Sequence, residues 1–140
     1  MMTAQEDRAN KLGPVARIVF ALLAEAPAPL TAYELLWRLQ ARRGKSAPPS
    51  SVYRALKTLI DAGLAHRVAS LNAFVVCREP ERPHHPMFLI CESCGATSET
   101  DIAALGAPLR DRAEHAGFRV SKLHFDVRGV CAACRSAKAD

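Results

Sequence analysis

Residues 84–95 read HHPMFLICESCG, which is two histidines, an apolar run, then two cysteines spaced by two residues and closed by glycine. Imidazole and thiolate are zinc's preferred donors, so the stretch raises the question of one metal or two. Five cysteines, Cys77, Cys91, Cys94, Cys131 and Cys134, all fall in the second half of the 140-residue chain. Four of them form the pairs Cys91/Cys94 and Cys131/Cys134, with 36 residues between the pairs. Each pair presents two thiolates at one turn, and two such turns complete a tetrahedral structural zinc site. The odd cysteine count argues against a disulfide framework. A redox pair, in turn, usually stands alone at a helix start.

With those four assigned, Cys77, His66, His84, His85 and Glu99 remain as donors. One thiolate, two imidazoles and one carboxylate make a reasonable second zinc sphere. Each residue also has a plainer reading. Cys77 is a small hydrophobe for a core, His66 caps a turn or meets a phosphate, and Glu99 caps a helix. Their joint presence around a linker with two histidines favours a shared metal, giving zinc as cofactor at two ions per monomer. His115 is expected to face solvent, and a third metal at His124 and Asp126 is unsupported.

The elements that must position these residues follow from periodicity. Val15, Ile18, Val19, Leu22 and Leu23 form one helical face, which the prolines after Glu25 end. Thr31 with Glu34 three residues later predicts a capping box for a second helix, with Leu35, Leu36 and Leu39 on its apolar side. A third helix is predicted from Ser50 or Ser51 to Gly63, with Val52, Ala55, Leu56, Leu59 and Ile60 inward and Arg54, Lys57 and Asp61 outward. Extended segments Leu64–Ala69 and Ala73–Cys77 predict a hairpin. Three helices and a hairpin outline a winged helix-turn-helix, whose third helix enters the major groove. Arg54 suits a guanine edge, and Ser51 and Lys57 suit phosphates.

Residues 78–86, REPERPHHP, mark a boundary. The expected organisation is therefore 1–78 winged-helix DNA-binding domain, 79–86 linker and 87–140 α/β dimerisation and zinc-binding domain. The fold class is α+β. In the second domain a strand is expected at Met87–Cys91 and another near Ala96–Glu99. A helix from Asp101 to Ala116 should break or kink at Gly106 and Pro108, and a strand should carry Phe118, Val120 and Leu123 inward.

Charge supports this division. Residues 1–70 hold ten Lys/Arg against five Asp/Glu, and residues 71–140 hold nine against nine. A basic half suits a polyanion such as double-stranded DNA. The N-terminus lacks the pattern of a secretory signal and no run is long enough to cross a bilayer, so a cytoplasmic protein without membrane or small organic ligand is expected. Nucleophile elbow, phosphate loop and HExxH are all missing, and four protein ligands would close a zinc to substrate. A zinc-dependent enzyme is therefore the remote alternative.

The segments APPSSVYRALKTLIDAGLAHRV, FVVC, MFLICESCGATSE and GVCAAC together resemble the ferric uptake regulator family, most of all its zinc uptake regulator branch. The resemblance covers about residues 12 to 135. It implies a homodimeric, metal-dependent repressor that binds AT-rich inverted-repeat operators and controls uptake genes. It places the structural zinc on Cys91, Cys94, Cys131 and Cys134. The regulatory zinc falls on His66, Cys77, Glu99 and a linker histidine, His85 with His84 as substitute. Base contacts fall on Tyr33 and Arg54. The charged residues that link neighbouring dimers in some relatives fall near Trp37 and Gln40, and Lys122 stands where a further histidine is common. Iron, another divalent metal or peroxide sensing within the family is the alternative, and the soft Cys77 thiolate argues for zinc.

Overall fold

The computed structural model describes residues 4–77, 86–101, 103–121 and 123–138. Two compact units divide the chain, Met1–Pro80 and Glu81–Asp140.

The first unit begins with α1 (Ala4–Asn10) and α2 (Pro14–Glu25), the latter with proline at its start. Proline's missing N–H costs nothing there. A two-residue strand β1 (Leu30–Thr31) leads into α3 (Ala32–Arg43). The predicted capping box is formed: the Glu34 N–H donates to Thr31 Oγ1 at 3.1 Å, and the Thr31 N–H donates to Glu34 Oε1 at 3.2 Å. Helix α4 (Pro49–Asp61) closes with Gly63 at φ 75°, where the Leu64 N–H reaches back to the Leu59 carbonyl at 2.9 Å. That left-handed position suits glycine.

The hairpin consists of β2 (Ala65–Val68) and β3 (Ala73–Val76), joined by a 3₁₀ turn at Ala69–Leu71. The sheet order is β1-β3-β2, with Leu30 opposite Phe74. Sequence reading missed β1, because two residues carry no measurable alternation. Val19, Leu23, Leu35, Leu39, Val52, Leu56, Leu59 and Leu64 form the core. Ile60, expected inward, is 37% exposed. The buried arc of α4 centres on Leu59, and Ile60 is one residue, about 100°, further round. Helix α1 adds Ala9 to the core, and Arg8 donates to the Ala62 carbonyl.

The second unit is a three-stranded sheet of order β5-β4-β6. Strand β4 (Pro86–Cys91) pairs antiparallel with β5 (Thr97–Asp101) and parallel with β6 (Phe125–Gly129). The parallel return runs through α5 (Ala103–His115), and α6 (Ala132–Lys138) closes the described chain.

Two expectations are corrected here. The expected break does not occur: α5 runs through Pro108 as one helix. Pro108 forfeits a single hydrogen bond, to the carbonyl of Ala104, and Ala104 is exposed so that solvent satisfies the group. The last strand starts at Phe125 rather than near Phe118, which is 69% exposed, and His124 precedes the strand. Phe118 and Val120 alternate with Arg119 and Ser121, but in the sequence the alternation stops at Lys122, whereas residues 125–129 are held in register by β4. Phe88, Ile90 and Cys91 are the buried apolar residues of this unit among those described. A core that small needs support beyond hydrophobic burial.

Candidate metal centres and nucleic-acid face

Cys91 is the last residue of β4 and is buried. The chain then turns tightly: the Gly95 N–H bonds the Cys91 carbonyl at 3.0 Å, and Gly95 sits at φ 80°. Cys94 comes off that turn, exposed. At the same end of the sheet, Cys131 follows β6 and Cys134 lies in the first turn of α6. Parallel pairing of Cys91 with Gly129, and the Glu92 N–H bond to the Gly129 carbonyl at 2.8 Å, bring the two knuckles side by side. The four sulfurs lie within 4.8 Å of one another.

The donor set fits zinc in number and spacing. A tetrahedron with zinc–sulfur bonds of about 2.3 Å has sulfur–sulfur edges near 3.8 Å, and Cys94 Sγ lies 3.8 Å from Cys131 Sγ. Electrostatics agree. The Cys131 N–H, donating to Cys91 Sγ at 3.4 Å, together with the Cys94 N–H, pushes the Cys91 thiol down to about 6. Hydrogen bonding with the thiol side chains of Cys131, Cys94 and Cys91 pushes Cys134 up to about 12. Four thiols this close cannot all ionise unless a cation joins them.

His66, Cys77 and Glu99 are the second group of candidate ligands. His66 is half-buried in β2, opposite Val75. Cys77 follows β3 and is fully buried, with its N–H on the Leu64 carbonyl at 2.8 Å. Strand pairing thus holds both near the open end of the hairpin, as its ladder requires. Glu99 is half-buried in β5, opposite Phe88. A soft thiolate, an imidazole and a carboxylate form a mixed set suited to zinc. His84, His85 and Lys122, and with them the choice of linker histidine, lie outside the described residues.

The outer face of α4 is exposed at Arg54 and Lys57. Lys57 Nζ lies 2.8 Å from Asp61 Oδ2, and the hydrogen bond and charge of that carboxylate raise the lysine's pKa. Ser51 already donates its hydroxyl to the Pro48 carbonyl at 2.6 Å, so only its oxygen lone pairs face outward. Tyr33, near the start of α3, is 78% exposed. Gln40 accepts the Ala47 N–H at 3.1 Å and so shapes the turn between α3 and α4. Sequence reasoning missed Arg67, which donates from Nε and Nη2 to Asn72 Oδ1 across the hairpin turn. The available signal was that Arg67 is the one Lys or Arg between Leu64 and Cys77.

Residues 11–128 match the profile described as Ferric uptake regulator family. The chain is 32% identical over 130 residues to the zinc uptake regulation protein of Escherichia coli (strain K12), covering 92% of this chain and 75% of that one. Its fold superposes with a TM-score of 0.88 on a zinc uptake regulator complexed with zinc and DNA, at 28% identity, covering 99% of this chain and 100% of the other. A second structure, described as holo XcZur, matches with a TM-score of 0.78 at 37% identity, over 89% of this chain and 86% of that one.

Proposed function

The chain belongs to the ferric uptake regulator family, and from that premise we propose that it is a zinc-responsive transcriptional repressor. It binds an inverted-repeat operator as a zinc-loaded homodimer and controls zinc uptake genes in the cytoplasm. The observation that carries this reading is the soft thiolate of Cys77, buried at the end of the hairpin that also carries His66. An iron or peroxide sensor would favour nitrogen and oxygen donors at that position. The relatives described as zinc uptake regulators support the same choice.

Two zinc ions serve different ends. Cys91, Cys94, Cys131 and Cys134 hold one that the second unit needs in order to fold. His66, Cys77, Glu99 and His85, or His84 in its place, hold the exchangeable one. Its binding free energy favours the conformation that fits DNA, as linkage requires of a sensor. Arg54 and Tyr33 then meet base edges, while Lys57 lies along the backbone and Ser51 joins it by turning its hydroxyl from the Pro48 carbonyl to a phosphate. Homodimerisation through the second unit is supported by apolar side chains it leaves exposed, among them the paired Leu89 and Val127. No helix among the described residues is long and apolar enough to cross a membrane.

The test is DNA binding against buffered free metal, using a duplex recovered by selection from a randomised pool. Zinc should switch binding on, reversibly, at concentrations that leave the structural site full. Activation by iron(II) and indifference to zinc would overturn the assignment.

A further inference from the structure

The hairpin that follows α4 carries a single full cation, Arg67. It is exposed on β2, opposite Phe74, and because strand residues alternate, it leaves the face opposite to that of His66. The guanidinium is held in place. Nε and Nη2 both donate to Asn72 Oδ1, at 3.4 and 3.0 Å. Asn72 sits in the left-handed region, φ 48° and ψ 45°, immediately after the 3₁₀ turn, which aims its amide back across the turn. The acceptor is neutral, and among the described residues no carboxylate pairs with this charge. Arg42 and Lys57 differ in this respect, since Glu25 and Asp61 oppose their charges. Three of the five guanidinium N–H groups remain, two of them on the edge formed by Nη1 and Nη2. That edge matches two oxygens of one phosphate, and the entropy of ordering the long side chain has already been lost. The side chain leans along the hairpin toward its turn, where Asn72 stands, so the guanidinium is presented at the tip of the wing.

We propose that Arg67, latched by Asn72, clamps a DNA backbone phosphate, so that the wing positions the protein without reading sequence. This rests on the DNA-binding function proposed above. The test uses the zinc-loaded full chain, a duplex recovered by selection and a scrambled duplex, over a range of salt. Arg67→Gln keeps a neutral donor for Asn72 and removes the charge. It should lose about 3- to 10-fold on both duplexes, and the log–log salt slope should fall by up to about 1.8 per dimer, one phosphate in each subunit. Asn72→Gly keeps the left-handed backbone and removes the latch. It should lose affinity on both duplexes with an unchanged slope. Parent affinity and slope for Arg67→Gln, with zinc content and thermal unfolding intact, would overturn the clamp. A loss confined to the selected duplex would make Arg67 a base reader and overturn it equally. A parent protein that binds neither duplex in zinc would instead remove the DNA-binding function itself.

Discussion

At the scale of single residues, charge compensation separates side chains that look alike in sequence. Arg54 and Lys57 both project from the outer face of α4, but Lys57 is already engaged by Asp61 at 2.8 Å. Arg54→Ala should cost roughly 1 to 3 kcal/mol per half-site on the selected duplex, with little change on scrambled DNA. Lys57→Ala should weaken both duplexes alike, and the slope should change by less than about 0.9 per subunit because Asp61 already screens the lysine. Titrating both variants against both duplexes checks this, and equal losses for Arg54→Ala would make it a backbone contact. Cys77 is the other decisive residue. It is fully buried, so packing alone could explain it. Cys77→Ala should leave the dimer intact, remove one zinc and abolish the zinc response of DNA binding. A response like the parent's would return Cys77 to the core. Comparing His84→Ala with His85→Ala for the same loss identifies the linker ligand, and His85 is the expected one.

Individual elements differ in what stabilises them. Helix α3 starts on a reciprocal cap, so Thr31→Ala should lower stability by about 1 kcal/mol. Thermal unfolding of the zinc-loaded protein measures this loss. Since Tyr33 lies two residues beyond the cap, a larger effect on DNA binding than on stability would tie the cap to α3's docking. The two cysteine knuckles behave differently from a helix cap. They hang on β4 and β6, which pair in parallel around a core of few buried apolar residues. Cys94→Ser should therefore unfold or monomerise the second unit, because the metal closes a loop of about 40 residues. A stable, dimeric Cys94→Ser protein with unchanged circular dichroism would remove the structural zinc.

For the molecule as a whole, two metals of unequal tenure should be separable by chelation. The four-cysteine site gathers four sulfurs that become thiolates on a cation, and should hold zinc tightly. The mixed set has one thiolate. Mild chelation should take zinc from two ions per monomer to one, abolish DNA binding and leave the dimer by light scattering. Loss of both ions together with the dimer would show that the sites are not independent.

The amino-acid sequence by itself determined whatever rests on local chemistry or short periodicity. The capping box at Thr31 and Glu34, the inward face of α4 from Val52 to Leu59 and the two cysteine pairs all involve residues within a few turns of one another. Their local arrangement was legible before any fold was known. Tertiary structure decided whatever depends on a distant strand or an unforeseen neighbour. β1 exists because Leu30 finds Phe74, and β6 begins at Phe125 because β4 fixes its register. Helix α5 survives Pro108 since solvent can satisfy the orphaned carbonyl. Lys57 and Arg67 are equal cations on paper. Only the folded chain sets one against a carboxylate and the other on a neutral amide, because each partner's position is fixed by the backbone around it.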